Sequence, residues 1–156
     1  MLRSRPIIFA LLLAVLLPAA ASAEGFGFGW QYTGPATGFS LRLPLDRYLA
    51  VQPIIALSIR NHESGTAGRA AYGLRALMNL PVLGPIHPYL GAGIGRTNLF
   101  DGGQSRITQG YQGFIGLEYQ LSSLRPSLEV ALGRVDRSDG SSYLGTMFNL
   151  GLHYYF

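Results

Sequence analysis

The sequence contains no cysteine and no lysine, and charged residues make up only 13% of its 156 positions. Without cysteine, the chain has no disulfide framework, no thiolate metal site and no lipid-modified N-terminal cysteine. From Glu24 onward it holds ten arginines against eight acidic residues, a net charge of +2. So small an excess predicts no nucleic-acid partner. Three scattered histidines predict no metal site, and no motif predicts another cofactor.

Long apolar runs are absent beyond residue 23, since none reaches the roughly 18 residues of a transmembrane helix. The exception comes first: Arg3 and Arg5 precede the apolar run "PIIFALLLAVLLPAA", and "ASA" stands before Glu24. This order is typical of a secretory signal peptide with its cleavage site. A membrane anchor is the alternative, but the run is short and Pro18 favours cleavage. We therefore predict a signal peptide over residues 1–23 and one mature domain over 24–156.

Alternation of apolar and polar residues with period two dominates the predicted mature domain. "EGFGFGWQY" places Phe26, Phe28 and Trp30 on one face and the glycines on the other. Seven further segments alternate in the same way, and turn-like stretches separate them. The segments run about 8–14 residues, which suits tilted strands that cross a bilayer. The pattern predicts an all-β fold, an eight-stranded antiparallel up-and-down transmembrane β-barrel. Pro53 predicts that the third strand starts after it or carries a bulge there.

The polar face of these strands carries both signs of charge, whereas the other face is almost uncharged. We expect a luminal polar network in the barrel interior, which includes Arg42, Arg60, Arg75, Glu118 and Glu129 beside Asn79, Gln112, Gln120 and Asn149. An uncharged face suits lipid, and eight strands enclose a space that side chains can fill. Our hypothesis is that Arg75 pairs with Glu118 or Glu129. A periplasmic lipocalin-like carrier is the non-membrane alternative, in which the apolar face would turn inward.

Aromatic side chains give an orientation when the strands are counted up and down from a periplasmic N-terminus. One predicted belt near the outer end holds Trp30, Tyr32, Phe39, Tyr72, Tyr111 and Tyr143, and one near the inner end holds Tyr48, Tyr119, Tyr154 and Phe156. Four outer loops are then expected near residues 33–37, 61–69, 97–107 and 136–142. Both termini are expected in the periplasm, and the last strand must pair with the first because an open edge in lipid is costly.

Three stretches, "PYLGAGIGR", "GFIGLEYQLS" and "NLGLHYYF", resemble those of small bacterial outer-membrane β-barrel proteins of the OmpA/OmpX-like superfamily. The resemblance implies an outer-membrane location, contact with outer-membrane lipid and lipopolysaccharide, and insertion by the barrel-assembly machinery. Tyr154 and Phe156 match the C-terminal assembly signal of such barrels. We expect no peptidoglycan-binding domain after the barrel, in contrast to the full OmpA layout. The implied function is a structural or surface-interaction role in the cell envelope, without enzymatic activity.

Two other functions remain as alternatives. His62 and Ser64 form a His-x-Ser pair like that of the lipid A deacylases, in which serine is the nucleophile and histidine the base. The pair follows strand three and lies on the luminal parity, whereas in that family it lies late in the chain, so a lipid A-modifying enzyme is disfavoured. A narrow pore is the other alternative, because glycines thin the luminal face, although open channels usually need about 16 strands.

Two glycine-containing motifs predict no site. "GAGIGR" resembles a phosphate-binding loop, but its glycines alternate within a strand instead of preceding a helix. Asp101, Asp136 and Asp139 lie in turn-like segments without the spacing of a calcium loop. We read the first as small residues in a crowded lumen and the second as solvated turns.

Overall fold

The computed structural model describes residues 25–62, 65–101 and 104–156, and leaves out the side chains of residues 60–66 and 101–103. The predicted signal peptide lies outside these ranges. The eight strands are β1 (Gly27–Tyr32), β2 (Gly38–Pro44), β3 (Leu49–His62), β4 (Gly65–Asn79), β5 (Ile86–Asp101), β6 (Gln104–Tyr119), β7 (Leu124–Arg137) and β8 (Ser142–Tyr155). Each pairs antiparallel with the next, and β1 pairs with β8 to close the barrel. The predicted eight-stranded antiparallel up-and-down architecture is confirmed. Within the described ranges, no helix has the length and apolar character to cross a membrane.

The two faces of the wall differ sharply in exposure. On the outer face Ile55 and Leu132 are 61% and 67% exposed, while inward-facing Gln52 and Glu129 are 0% and 1% exposed. The interior contains a small apolar cluster of Ala50, Leu77, Tyr89, Phe114 and Ala131, with Met147 packed against it. Polar side chains fill most of the remaining interior. The barrel therefore buries polar side chains inside and exposes apolar side chains on its outer face.

The barrel has two unlike ends. The terminal end holds Gly25, Phe156 and the connections 45–48, 80–85 and 120–123, and the far end holds the other four connections. At the terminal end, Asp46 accepts hydrogen bonds from the backbone N–H groups of Tyr48 and Leu49, at 2.6 and 2.7 Å. At the far end, Gly140 adopts a φ of 83° in the turn between β7 and β8, a conformation that suits glycine.

Two of the four far-end connections are much shorter than the sequence analysis predicted. β3 and β4 leave only residues 63 and 64 between them, and β5 and β6 leave only 102 and 103. The loops predicted over 61–69 and 97–107 are therefore mostly strand, whereas the loop predicted over 136–142 holds the connection 138–141. The alternation of apolar residues is lost in these segments, and this loss is the reason that loops were predicted there. A strand that continues beyond an apolar belt needs no apolar side chains, because its backbone pairing is unchanged.

Strand β3 neither starts after Pro53 nor carries a bulge there, so both predicted outcomes are wrong. The register between β3 and β4 runs without a break from Leu49↔Met78 to His62↔Gly65 and includes Pro53↔Leu74. The effect of the proline appears on the other side. Pairing between β2 and β3 passes from Ser40↔Ile54 to Leu43↔Val51 and omits the positions opposite Pro53. The missing N–H group thus affects the ladder to β2.

Strands β1 and β2 are about half as long as the others, with 6 and 7 residues. Trp30 pairs with Leu152 near the terminal end, and Phe39 pairs with Ile55 midway along β3. Residues 57–62 of β3 and 142–149 of β8 consequently extend past the ends of β2 and β1. The wall has eight strands at the terminal end and only six, β3 to β8, at the far end.

Because β1 and β2 reach only part of the way along the wall, the predicted outer aromatic belt is wrong in part. The Trp30 ring lies 5.0 Å from the Phe39 ring, and Phe39 stacks on Phe28 at 5.8 Å, so these rings form one patch in the terminal half. Tyr143 pairs with Val135 on the inward parity. Tyr72 and Tyr111 do face outward, at 51% and 55% exposure, and they lie midway along β4 and β6. Alternation gave the correct face for most rings but carried no information on how far neighbouring strands are shifted.

Candidate functional site

The centre of the barrel interior is built around the carboxylate of Glu129 on β7. Arg75 on β4 donates from Nη2 to both carboxylate oxygens, at 2.6 and 2.7 Å. Tyr89 on β5 donates its hydroxyl at 2.7 Å, and Asn149 on β8 donates from Nδ2 at 2.9 Å. None of the four residues is more than 2% exposed. Burial of an ion pair is costly unless further hydrogen bonds satisfy the charges, and here Tyr89 and Asn149 supply them beside Arg75, from three strands in all.

A chain of amides extends this centre toward β1 and β2. Arg75 donates from Nη1 to Gln52 at 3.1 Å, and Gln52 donates to Gln31 at 3.2 Å. Asn149 also donates to Gln112 at 3.3 Å. The guanidinium of Arg75 lies 3.9 Å from the centroid of the Phe114 ring, a cation–π contact. The centre on β4, β5, β7 and β8 is therefore connected to interior side chains on β1, β3 and β6.

A second ion pair lies nearer the terminal end. Arg42 on β2 contacts Glu118 on β6 at 3.0 Å, and their side chains are 5% and 4% exposed. Tyr155 joins both, since Arg42 donates to its hydroxyl at 3.2 Å and the hydroxyl donates to Glu118 at 3.1 Å. Arg125 lies 3.9 Å from Glu118, and its guanidinium is 4.0 Å from the centroid of the Tyr155 ring. Two arginines thus share one carboxylate.

The structure places four of the five arginines and glutamates of the expected luminal network in the interior: Arg42, Arg75, Glu118 and Glu129. The side chain of Arg60 lies outside the described residues. Arg75 pairs with Glu129, while Glu118 pairs with Arg42. The sequence analysis missed the tyrosines that complete both pairs. Tyr89 and Tyr155 stand on the polar parity of their strands, and that parity was the available signal.

The glycines of "GAGIGR" make room for three different interior groups. A β-carbon at Gly91 would lie 2.6 Å from the Phe114 ring, and one at Gly93 would lie 2.9 Å from Cγ of Arg75. A β-carbon at Gly95 would lie 2.9 Å from the methyl group of Ala36. All three distances are too short for a real contact, so these positions accept only glycine without rearrangement. This geometry agrees with the reading as small residues in a crowded lumen.

The connection between β1 and β2, residues 33–37, folds into the barrel and is not a surface loop. Ala36 is 2% exposed and lies against Gly73 of β4 and Gly95 of β5. Thr97 donates its hydroxyl to the carbonyl of Pro35 at 3.3 Å, and Arg69 donates to the carbonyl of Thr37 at 3.2 Å. Thr33 also donates its hydroxyl to the carbonyl of Ala36. We call residues 33–37 the plug segment, because it fills the interior above the ion pairs.

We expect the plug segment to leave the interior when a larger side chain at position 95 occupies its space. In a variant with Ala36→Cys as the single cysteine, the thiol should react slowly with a water-soluble maleimide in the folded barrel. Adding Gly95→Leu should raise the rate at least about tenfold, because the leucine side chain occupies the place of the plug segment. Ser142→Cys, on the exposed start of β8, is the labelling control. Equal rates for Ala36→Cys with and without Gly95→Leu would contradict the buried position.

One serine–histidine contact occurs in the interior, although not at the pair that the sequence singled out. Ser40 Oγ lies 2.7 Å from His153 Nε2, and Gln52 Nε2 lies 3.1 Å from the same nitrogen. Ser40 and His153 are 2% and 0% exposed, and Nδ1 of His153 has no partner among the described residues. A hydrolytic triad needs an acid on that nitrogen and access for substrate. The contact fits a packing role.

The remaining candidates of the sequence analysis bring no further site together. Ser64 and the side chain of His62 lie outside the described residues, as do the side chains around Asp101. Asp136 contacts Arg134 at 2.8 Å, and Asp139 accepts from the Ser141 N–H at 2.8 Å. Across the part of the chain that the structure describes, no three acidic or histidine side chains come close enough to hold a metal ion.

Comparison with known proteins adds little beyond the architecture. No protein-family model matches the chain, and no curated protein matches it significantly. Neisserial surface protein A is similar to this chain with a TM-score of 0.47 and 17% identity, over 85% of this chain and 94% of that one. The attachment invasion locus protein Ail of Yersinia pestis has a TM-score of 0.41 and 20% identity, over 85% of this chain and 95% of that one. Since both likenesses are weak, the proposals below rest on the geometry of this chain.

Proposed function

We propose that this chain is an integral protein of the bacterial outer membrane with a structural or surface-interaction role in the cell envelope. The observation that carries the proposal is the inverted distribution of side chains. Both charges of the Arg75–Glu129 pair are buried, while Leu57, Ile94 and Leu132 on the outer face are 65–70% exposed. In water such a barrel would expose far more apolar surface than soluble proteins tolerate, whereas in lipid that surface is matched.

The same distribution argues against the lipocalin-like alternative. A carrier of hydrophobic molecules needs an apolar cavity, and here the barrel centre holds an ion pair, four amide side chains and the plug segment. The narrow-pore alternative is disfavoured for the same reason, because side chains fill the eight-stranded interior. The lipid A-modifying alternative has no support from Ser40 and His153, which are enclosed.

We orient the barrel with its terminal end in the periplasm. At the far end, strands β3 to β8 continue beyond the apolar part of the wall. This extension suits the extracellular side, where barrels of the outer membrane project furthest from the bilayer. Tyr154 and Phe156 point outward, at 48% and 68% exposure, and Phe156 stacks on Phe26 at 4.8 Å. An outward aromatic edge next to the closing seam supports engagement of the barrel-assembly machinery during insertion.

Two outward arginines support contact with lipopolysaccharide at the far end. Arg96 pairs across strands with Tyr72, and Arg134 pairs with Tyr111. The tyrosines occupy the level of the outer interface, where arginine can reach headgroup phosphates. Two residues nearer the terminal end than Arg96 and Arg134, the outer face carries Ile94 and Leu132. The change from apolar to basic along the wall is the one expected at a lipid–water boundary.

Fractionation combined with gel mobility tests the proposal. We expect the protein in the outer-membrane fraction, and we expect its band on an SDS gel to shift on boiling, because a closed barrel resists SDS until heated. A boiled sample of purified protein refolded into detergent serves as the control for mobility. Recovery from the soluble periplasm without a heat-dependent shift would overturn the proposal and reinstate a soluble carrier.

A further inference from the structure

A cavity of about 280 Å³ lies at the terminal end, away from the Arg75–Glu129 centre. Its lining includes Arg42, Arg47, Arg125, Glu118 and Tyr155. A water molecule occupies about 30 Å³ in the liquid, so the cavity has room for a small solute or several waters. It is bounded by the ends of the barrel strands and the short turns between them.

The charges around this cavity do not balance. Three guanidinium groups face one carboxylate, that of Glu118. This carboxylate is already bound by Arg42 at 3.0 Å and by Tyr155 at 3.1 Å. Arg125 is 3.9 Å from it, beyond hydrogen-bond distance. One carboxylate cannot neutralise three arginines, so the cavity carries an excess of positive charge.

Two of the three guanidinium groups, those of Arg42 and Arg125, have buried donor atoms. The side chain of Arg42 is only 5% exposed, and its Nε and Nη2 have no hydrogen-bond partner among the described residues. Nε of Arg125 is also buried without a partner in that part of the chain. A buried cation with unused donors is costly, and an oxyanion that accepts from those donors would lower the cost. Arg47 is exposed at the rim, where it can attract an anion from solution.

We propose that this cavity is a binding site for a small oxyanion of the phosphate type, held by Arg42, Arg125 and Arg47. Glu118 competes with the anion for the same guanidinium groups and so limits its affinity. The phosphate could come from solution in the periplasm or from the headgroup of an inner-leaflet phospholipid. Both sources present the same oxygens to the arginines.

Titration of the folded barrel tests the site. The protein is refolded into a maltoside detergent, which carries no phosphate, and inorganic phosphate is added while binding is followed by calorimetry and amide chemical shifts. We expect saturable binding with shifts at residues that line the cavity. Arg125→Gln should weaken it at least about tenfold, since a hydrogen bond to a charged group is lost. Glu118→Gln should tighten it, because the competing carboxylate is neutral.

Matched variants separate the site from general charge effects. Arg137→Gln removes an equal charge at the far end and should leave the affinity unchanged. Arg47→Gln alters an exposed side chain, so it keeps the test valid if Arg125→Gln fails to fold. A short-chain phosphatidylglycerol in the same detergent distinguishes the sources. If this lipid binds and inorganic phosphate does not, with the same dependence on Arg125 and Arg47, the headgroup is the ligand. If neither binds, or if binding ignores both arginines, the proposal is wrong.

Discussion

Replacing Glu129 by leucine is expected to lower the free energy of unfolding by about 3–5 kcal/mol, the cost of an unpaired buried charge. The substitution removes the acceptor of Arg75, Tyr89 and Asn149 together, and all three side chains are enclosed. The guanidinium of Arg75 keeps Gln52 as a neutral partner at 3.1 Å, which cannot offset its charge. Reversible urea unfolding in lipid vesicles, followed by tryptophan fluorescence of Trp30, measures the change.

The double variant Arg75→Met with Glu129→Leu separates the charge from the packing. Removing both charges leaves no buried ion, so most of the lost stability should return. Asp136→Asn is the matched control, because it disrupts the Arg134–Asp136 pair, whose side chains are 48% and 36% exposed. An exposed pair contributes little, so this control should unfold close to the parent chain. A double variant as unstable as Glu129→Leu would show that the ion pair itself is not what stabilises the interior.

Replacing Ile115 by arginine is expected to destabilise the inserted barrel by about 2–4 kcal/mol, the cost of a charge near the bilayer midplane. Ile115 is 58% exposed on the outer face and pairs with Leu90 and Val130, which also face outward. In a soluble barrel the same arginine would sit in water at almost no cost. The substitution therefore reports directly on which solvent surrounds the wall.

Ile107→Arg is the matched control, with the same exchange on the same strand. Ile107 is on the outward parity near the far end, where it pairs with Asn98 beyond the level of Tyr111. The cost of arginine falls to about 0–1 kcal/mol near the interface, so this variant should resemble the parent. Unfolding in vesicles gives both values. Equal and small effects for the two variants would contradict insertion of the Ile115 level into lipid.

The sequence was a reliable guide where structure depends on near neighbours along the chain. Period-two alternation assigned Ile55 and Leu132 to the outer face and Arg75 and Glu129 to the interior, because successive side chains of a strand point to opposite faces. The alternation did not predict the lengths of the strands or the shifts between neighbouring strands. The loops predicted over 61–69 and 97–107 are largely strand, since β-pairing tolerates polar and glycine-rich segments once lipid no longer selects the side chains.

What the sequence by itself determined is the class of fold and the inversion of its faces. Eight alternating segments with charges on one side leave few other ways to satisfy both backbone and side chains. Only the tertiary structure decided that Arg75 meets Glu129 while Arg42 meets Glu118, and that residues 33–37 enter the lumen at Gly73 and Gly95. These contacts join strands that are not neighbours. They depend on the register between all strands around the barrel, and a local pattern carries no record of that register.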